Sequence, residues 1–399
     1  MLPLRNVRVI AVEQYGAGPF GTQFLADLGA EVIKIENPKD GGDVARSVGP
    51  YSLDGEDLTS ASLFFQSFNR NKRSLTLDLG RPEGREILHD LARTADALCS
   101  NMRGDVPDKL GLTYRTLGEI NPKLVCSHLT AYGREGSRRN WPGYDFLMQA
   151  EAGYFSITGE PGTPPARMGL SIVDMMTGLG MAYAMLAALL EARETGRGRD
   201  IDVSLFDFAL FNLNYLAHWH LAAGHEAVRL ERSAHPSLTP CALYKTADGW
   251  VYLMCNKEKF WGTLCTAIGR EDLIDDPRFR TFRERFRNRP LVAEVLDAEL
   301  SKRPTAEWLE RFGGKVPAAP VYGVADALAN PFVREGGRIQ ALESADGVPF
   351  ELLACPVRVP GEELPARPGP KLGADTDALL EELGYDQARI AGLREREIV

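Results

Sequence analysis

The first residues whose spacing suggests a chemistry are Gly16, Gly18 and Gly21, which form a G-x-G-x-x-G motif. The motif follows a predicted strand and begins a predicted helix, and Glu36 ends the next predicted strand. In dinucleotide-binding folds such glycines let the backbone approach a pyrophosphate, and an acidic residue about 20 positions later binds the ribose. The motif alone therefore favours an NAD-dependent oxidoreductase. Pro19 weakens this interpretation, because it brings no backbone N–H to the turn where amide donors should meet the pyrophosphate.

The composition is that of an acidic globular protein. The 399 residues include 46 Lys and Arg against 55 Asp and Glu, which gives a formal charge of −9. This balance, without basic runs, argues against nucleic acids and anionic membranes as partners. The six cysteines are widely spaced and form no C-x-x-C motif, so we expect reduced thiols. The N-terminus lacks a secretory h-region, and the longest apolar stretch, near residues 181–190, is shorter than the ~20 residues of a spanning helix. We therefore expect a cytoplasmic protein.

The elements that must position the glycine motif alternate between strand and helix. Residues 9–12, 20–28 and 31–35 predict a βαβ unit, whose strands must be parallel. The alternation continues to a strand at 201–205, and apolar helices are predicted over 175–193 and within 206–221. The predicted fold class is α/β with a doubly wound parallel sheet.

A different pattern begins near residue 228. Residues 242–254 predict a β-hairpin with a turn at Asp248 and Gly249, and helical patterns follow as far as residue 312. This region predicts a smaller α+β domain. The Pro-rich segment 356–370 predicts an extended linker, and residues 375–382 predict a terminal helix.

A series of short segments occurs in an order and spacing that resemble class III CoA-transferases, the CaiB/BaiF family. The segments are residues 4–10, 17–19, 25–36, 42–43, 69–74, 121–124, 142–145, 174, 195–199, 235–236, 276–279 and 372–373. Each is short, but together they extend over essentially the whole chain.

The resemblance implies a Rossmann-like large domain over residues 1–205, completed by about 370–399. It further implies a linker helix at 206–227, a small α+β domain at 228–325 and a return linker at 326–369. Two chains are expected to form an interlocked homodimer. The expected substrates are an acyl-CoA and a small carboxylic acid, with dicarboxylates among the candidates, and neither a prosthetic group nor a metal is implied. Because the family binds coenzyme A at its βαβ unit, Pro19 is accommodated.

Asp174 matches the catalytic aspartate of the family. In this role its carboxylate attacks the thioester, forming a mixed anhydride and then an aspartyl-CoA thioester. From its position, Asp174 is also a candidate N-cap for the helix predicted at 175–193. The two roles are compatible, because a helix N-terminus is expected to keep the carboxylate ionised and to offer amides to an oxyanion. Tyr144 is a candidate donor to a carboxylate, and Asp145 is either a second acid or a helix N-cap.

An α-methylacyl-CoA racemase or epimerase is the main alternative within the family. Racemases carry Gly-His-Asp where this chain has Gly143-Tyr144-Asp145, and a further His shortly before the segment at 121–124. Residues 111–120 contain no His. Racemisation at an α-carbon needs two opposed acid/base groups, so CoA transfer is preferred.

The resemblance also predicts the CoA contacts. They fall on Gln14, Tyr15, Gly16, Ala17, Leu77, Asn101, Met102, Lys109 and Leu110. In an acidic protein the phosphates of CoA also require local cations. The candidate cations are Arg70, Lys72, Arg73, Arg103 and Lys109.

Some positions depart from the family pattern. Formyl-CoA:oxalate enzymes carry a Gly-rich loop at the positions of residues 236–240, which here are Pro-Ser-Leu-Thr-Pro. They also carry a Tyr at the position of Phe64. These two differences argue against oxalate as the acceptor. The family's Gly-x-His-Thr is replaced by Gly-Ala-Asp-Thr with Asp375, so the role of that His is lost or reassigned. His235 is a candidate for the acyl pocket or a structural residue.

Overall fold

A computed structural model of the chain describes residues 1–53 and 62–399. Within these residues, strands and helices alternate along the first half of the chain. The strands are β1 Arg8–Val12, β2 Glu31–Glu36, β3 Arg73–Thr76, β4 Ala97–Ser100, β5 Val125–Thr130, β6 Asp200–Ser204, β7 Cys241–Lys245, β8 Trp250–Met254, β9 Ala318–Pro320, β10 Ile339–Glu343 and β11 Pro349–Leu353. The α-helices are α1 Ala17–Asp27, α2 Leu63–Asn69, α3 Pro82–Thr94, α4 Val106–Leu110, α5 Tyr114–Leu117, α6 Asp145–Glu151, α7 Tyr154–Ile157, α8 Ile172–Thr195, α9 Leu205–Asn212, α10 Tyr215–Ala223, α11 Glu258–Ile268, α12 Phe282–Arg287, α13 Arg289–Leu300, α14 Thr305–Phe312, α15 Val324–Ala329, α16 Pro331–Glu335, α17 Thr376–Glu382 and α18 Gln387–Glu395.

The first six strands form one parallel sheet in the described part of the chain. Their order is β3-β2-β1-β4-β5-β6, which is the doubly wound order of dinucleotide-binding folds. The central strands β1 and β4 are mostly apolar and almost fully buried, since helices cover both faces of the sheet. The prediction of an α/β fold with a large parallel sheet is confirmed.

The two faces of the sheet are covered by different helices. On one face, Ile10, Ile33 and Leu98 pack with Leu88 of α3 and Leu379 of α17 in a hydrophobic core. On the other face, α1 packs along α8, and α8 also lies against β5 and β6. This second layer carries the residues of interest, because α1 and α8 each begin near the carboxyl edge of the sheet.

The C-terminal segment is bound to the edge strand β3. The backbone N–H of Ser74 donates to the carboxylate of Asp375 at 2.9 Å, and the N–H of Asp375 donates to the carbonyl of Ser74 at 3.0 Å. Further along, the N–H of Asp78 donates to the carbonyl of Ile398 at 2.8 Å. Asp375, which stands where the resemblance places a His, therefore holds the C-terminal segment against the sheet.

The chain divides into two compact units. The first contains residues 1–152, 168–223 and 334–399, and the second contains residues 153–167 and 224–333. In the second unit the antiparallel strands β7-β8-β9 pack with α11, α13 and α14 around Trp261, Leu264 and Trp308.

Some elements differ from their predictions. The apolar segment 206–221 is broken between α9 and α10, where Asn214 has a φ of 46°. The segment 326–369, predicted as a linker, contains α16 and the hairpin β10–β11, and helix α18 was not predicted.

Helix α8 is longer than its predicted apolar stretch. It is the helix in the described residues with the length and hydropathy of a membrane span. Half of its most apolar 18-residue window is buried inside the protein, where it packs on α1 and β5. We interpret α8 as a core helix.

Candidate active site

The turn between β1 and α1 is fixed by hydrogen bonds from two directions. The N–H of Tyr15 donates to Asp43 Oδ1 at 2.8 Å. The N–H of Gln14 donates to Asn101 Oδ1 at 2.9 Å, and Asn101 Nδ2 donates back to the carbonyl of Gln14 at 2.6 Å. Tyr15 has a φ of 67°, an uncommon value for a residue with a side chain. These contacts hold the strained turn in place at the carboxyl edge of the sheet.

Small residues let α8 approach this turn closely. A Cβ on Gly178 would lie 2.2 Å from the carbonyl oxygen of Ala17, and a Cβ on Gly21 would lie 2.3 Å from the carbonyl oxygen of Gly178. At the start of the two helices, a Cβ on Gly16 would lie 2.9 Å from Asp174 Oδ2. The carboxylate of Asp174 is therefore placed directly against the glycine motif.

Asp174 lies inside the first turn of α8, and this corrects its prediction as an N-cap. The helix begins at Ile172, so the N–H of Asp174 is one of the amides that a helix start leaves unpaired. Asp145 Oδ2 accepts this N–H at 2.9 Å. Asp145 is the first residue of α6, where Tyr144 is the N-cap, so Asp145 is not an N-cap either.

The electrostatic environment of Asp174 is opposite to the one expected. Burial, followed by the negative charge of Asp145, raises its pKa to about 7. The side chain is only slightly accessible, since the residue is 7% exposed. Desolvation and a neighbouring like charge therefore oppose ionisation of this carboxylate, against the effect expected of the helix N-terminus.

Two cavities lie at this edge of the sheet. The first has a volume of about 420 Å³ and contains Asp174 in its wall, and the second has a volume of about 780 Å³. Gln14 and Met102 line both cavities. Each volume is within the usual range of ligand sites.

Most of the predicted CoA contacts surround these cavities. The first cavity is lined by Gln14, Tyr15, Gly16, Ala17, Asn101, Met102, Arg103, Tyr144 and Asp174. The second is lined by Gln14, Leu77, Met102 and Leu110. Lys109 precedes Leu110 and forms an ion pair with Asp105, which also contacts Arg103.

Three predicted cations are placed elsewhere. Arg70 Nε donates to Asp27 Oδ1 at 2.9 Å, and Lys72 Nζ lies 2.7 Å from Glu13 Oε1 in a buried ion pair, where burial lowers the pKa of Lys72 to about 8. Arg73 pairs with Glu31 and Glu382. None of the three lines either cavity among the described residues. Arg73 begins β3, whereas the cavities lie at the carboxyl ends of the strands. In the described structure these three cations pair with carboxylates of the protein away from the two cavities, so their role as CoA contacts stays a prediction.

The acidic residue expected to bind a ribose is already occupied. Both oxygens of Glu36 accept hydrogen bonds from Arg46, at 2.8 Å to Nε and 2.7 Å to Nη2, and Ser74 Oγ donates at 2.6 Å. The guanidinium of Arg46 keeps the pKa of Glu36 low despite its burial. Together with Pro19, this closed ion pair disfavours the dinucleotide interpretation.

Aromatic side chains form part of the wall beside Asp174. The ring of Tyr15 lies 5.2 Å from Phe64 and 6.4 Å, edge to face, from Tyr144. Trp141 also lines the cavity and was missed in the sequence, although it directly precedes the Pro-Gly-Tyr-Asp segment. Gln149, one turn after Asp145 on α6, was not predicted either; its side chain donates a hydrogen bond to Asp145.

His235 lines neither of the two cavities described above. The described residues contain no group of three or more His, Cys, Asp or Glu arranged to hold a metal ion. In the second unit, the N–H of Ser237 donates to His235 Nδ1 at 3.1 Å, and burial lowers the pKa of this His.

Comparison with known proteins identifies the family. Residues 4–376 match the model of CoA-transferase family III. The chain is 36% identical over 391 residues to succinate–glutarate CoA-transferase of Agrobacterium fabrum, with 96% of both chains covered. It is 35% identical to acetyl-CoA:oxalate CoA-transferase of Acetobacter aceti, with 97% of both covered. A CaiB/BaiF family protein from Brucella suis, of known crystal structure, has a TM-score of 0.81 and 34% identity, covering 96% of this chain and 99% of that one. The match includes the glycine motif, so the oxidoreductase interpretation of that motif is wrong. The chain is an enzyme that belongs to CoA-transferase family III, and its substrates are CoA thioesters.

Proposed function

We propose that this enzyme moves CoA from an acyl-CoA to a small dicarboxylate, with Asp174 as the nucleophile. The observation that carries the proposal is the placement of a buried carboxylate in the wall of a cavity, against the glycine turn. A raised pKa makes the ionised form of Asp174 a stronger nucleophile than an exposed aspartate.

The proposed reaction needs only the two substrates and the carboxylate. An oxygen of Asp174 attacks the thioester carbonyl, the C–S bond breaks, and CoA leaves as a thiolate, giving a mixed anhydride. The thiolate then attacks the aspartyl carbonyl, which releases the donor acid and forms an aspartyl-CoA thioester. The acceptor carboxylate attacks this thioester and releases the thiolate again. In the last step the thiolate attacks the acceptor carbonyl of the new anhydride, which restores Asp174.

The cavities support a placement for the CoA chain. Because Gln14 and Met102 line both, we propose that the thioester end occupies the smaller cavity and the nucleotide the larger one. Leu77 and Leu110 offer apolar contacts to the base. Arg103 and Lys109 are largely exposed near the cavity mouths and are the proposed phosphate contacts.

The acceptor class is proposed from the relatives and from the lining. The relatives described above are named for succinate, glutarate and oxalate, which are all dicarboxylates. The relative named for oxalate is 35% identical, so the sequence argument against oxalate is not decisive and oxalate belongs in the substrate panel. Tyr144 faces the cavity as a proposed donor to the acceptor carboxylate.

We further propose that the second compact unit is the smaller α+β domain and that two chains form an interlocked homodimer. Helices α8, α9 and α10 carry large apolar side chains on the surface, and these support a partner of the same kind. Tyr183 and Phe211 are each 77% exposed, and Leu190 and Leu221 are also exposed. The unpaired cysteines agree with a cytoplasmic location.

Trapping the acyl-enzyme tests the nucleophile. The protein is incubated with a panel of acyl-CoA donors, including succinyl-CoA, glutaryl-CoA and oxalyl-CoA, and then with hydroxylamine. We expect a hydroxamate at Asp174 by peptide mass spectrometry, and its loss in Asp174→Asn. Absence of modification at Asp174 with a donor that supports turnover would overturn the assignment. Exchange of the α-hydrogen with solvent deuterium in the absence of an acceptor acid would indicate racemisation instead.

A further inference from the structure

Two buried side chains lie behind Asp174 and do not line its cavity. Asp145 is 3% exposed and Gln149 is fully buried, and both belong to α6. Gln149 Nε2 donates to Asp145 Oδ1 at 2.6 Å. Asp145 Oδ2 accepts the N–H of Asp174 at 2.9 Å. The three residues thus form a continuous hydrogen-bonded chain that ends at the backbone N–H of Asp174.

Gln149 also holds the segment that leads into α8. Its Nε2 donates to the carbonyl of Leu170 at 3.0 Å, and its Oε1 accepts the N–H of Met168 at 2.9 Å. One amide therefore fixes both the residues before α8 and the carboxylate that binds the first turn of α8. A buried amide with all of these contacts has a single orientation, because any other would leave polar groups unpaired.

We propose that Asp145 and Gln149 are positioning residues for Asp174. Gln149 fixes the Asp145 carboxylate, and Asp145 fixes the start of α8 while placing a buried negative charge beside the nucleophile. The inference rests on the proposed function, because it assigns these residues a role only if Asp174 is acylated.

The neighbouring charge favours acylation for an electrostatic reason. In the resting enzyme, ionised Asp174 and Asp145 repel each other in a buried site. The anhydrides and the thioester of Asp174 are uncharged, so the first acylation of the carboxylate relieves the repulsion, and it stays relieved until Asp174 is released. The pKa of Asp174, raised to about 7 by burial and by Asp145, agrees with a repulsion between the two carboxylates.

The other ionisable groups around Asp174 are few in the described residues. The cavity wall contributes Tyr15, Tyr144 and Arg103, and the first turn of α1 contributes no acidic residue. On the far side, Asp207 of α9 is hydrogen bonded to Ser204, and Asp200 of β6 pairs with His128. Burial and Asp145 are the causes that raise the pKa of Asp174.

The pH dependence of kcat/KM tests the role of Asp145. For the wild type we expect kcat/KM to rise with pH through a midpoint near 7, as Asp174 loses its proton. In Asp145→Asn the midpoint should move to lower pH by about one unit, because a neutral neighbour no longer opposes ionisation. The hydroxamate yield at Asp174 at a fixed donor concentration should fall. Asp377→Asn, an exposed aspartate in the first turn of α17, is the matched control and should keep the wild-type midpoint.

Gln149→Met tests the positioning role separately, since it keeps the length of the side chain and removes its hydrogen bonds. We expect kcat, normalised to the folded fraction, to fall about tenfold or more, with KM for acyl-CoA within twofold of the wild type. An unchanged midpoint in folded Asp145→Asn would overturn the inference. If Asp145→Asn does not fold, an unchanged kcat in Gln149→Met would overturn it. Failure to trap Asp174 in the wild type would instead reject the proposed nucleophile, so the two failures are distinguishable.

Discussion

Asp174 should reduce the stability of the folded protein at the pH where it acts. Its pKa is about 7 in the folded protein and near its ordinary value of 3.8 in the unfolded chain. The folded state therefore binds more protons between these values, and stability falls as the pH rises from about 4 to 7. A shift of this size corresponds to at most about 4 kcal/mol.

Replacing Asp174 by Asn should remove this pH dependence. We expect Asp174→Asn to be more stable than the wild type at pH 8, and the advantage to shrink by roughly 2–3 kcal/mol at pH 5. Urea unfolding at the two pH values measures the difference. An advantage that is the same at pH 5 and pH 8 would show that Asp174 titrates normally in the folded protein.

Gly16 should be required for catalysis because of its distance from the nucleophile. A Cβ at this position would lie 2.9 Å from Asp174 Oδ2, so the carboxylate must move. Its φ of −110° is accessible to alanine, so the variant should fold. We expect Gly16→Ala to lower kcat roughly 10- to 100-fold, since small displacements of a reacting group are costly. Steady-state kinetics measures this, with Gly249→Ala, which has open space around its Cβ, as the control. Wild-type kcat in Gly16→Ala would contradict the close approach.

At the level of elements, two helical glycines should respond to alanine in opposite ways. In α8, a Cβ on Gly178 would lie 2.2 Å from the carbonyl oxygen of Ala17, which belongs to the backbone of α1 and cannot move alone. We expect Gly178→Ala to destabilise the protein by about 2 kcal/mol or more and to reduce activity. In α11, Gly262 has nothing near its Cβ position, so Gly262→Ala should stabilise the protein by about 0.5–1 kcal/mol. Thermal or urea unfolding checks both, and a tolerated Gly178→Ala would mean that α1 and α8 cross less closely.

The sequence predicts an element well when the signal is local. The strands near residues 9–12 and 31–35 were expected from their apolar, β-branched runs, and the structure contains them as β1 and β2. The start of α8 was misplaced by three residues, and the side chain that binds an amide of its first turn comes from α6. Asp145 accepts the N–H of Asp174, and no pattern near residue 174 indicates that contact.

The candidate site shows the same division between local and long-range signals. The turn at 14–17 and the position of Asp174 follow from the resemblance, and the structure brings them together. The roles of the predicted cations could not be assigned in this way, because the sequence shows where charged residues occur but not which residues they pair with. Lys72 pairs with Glu13, which is 59 positions away, and Arg70 pairs with Asp27.

At the scale of the whole molecule, the exposed apolar surface on α8, α9 and α10 needs an explanation. Isolated apolar side chains on a surface are normal, but a run of them on successive helices usually marks an interface. Tyr183 and Phe211 are both mostly exposed; Tyr183 lies on α8, the helix that carries Asp174, and Phe211 lies on α9. A partner at this surface would therefore support the helix that holds the nucleophile.

The proposed interlocked dimer predicts a coupling between assembly and unfolding. If two chains pass through each other, they cannot separate while folded, so light scattering should give twice the mass of one chain even at nanomolar concentration. The midpoint of urea unfolding should then rise with protein concentration, because unfolding and dissociation occur together. Phe211→Asp should lower that midpoint without producing a folded monomer, whereas the exposed Val324→Asp in the second unit, as a control, should leave it unchanged. A folded, active monomer on dilution would contradict interlocking, because only chains that dock surface to surface can separate before they unfold.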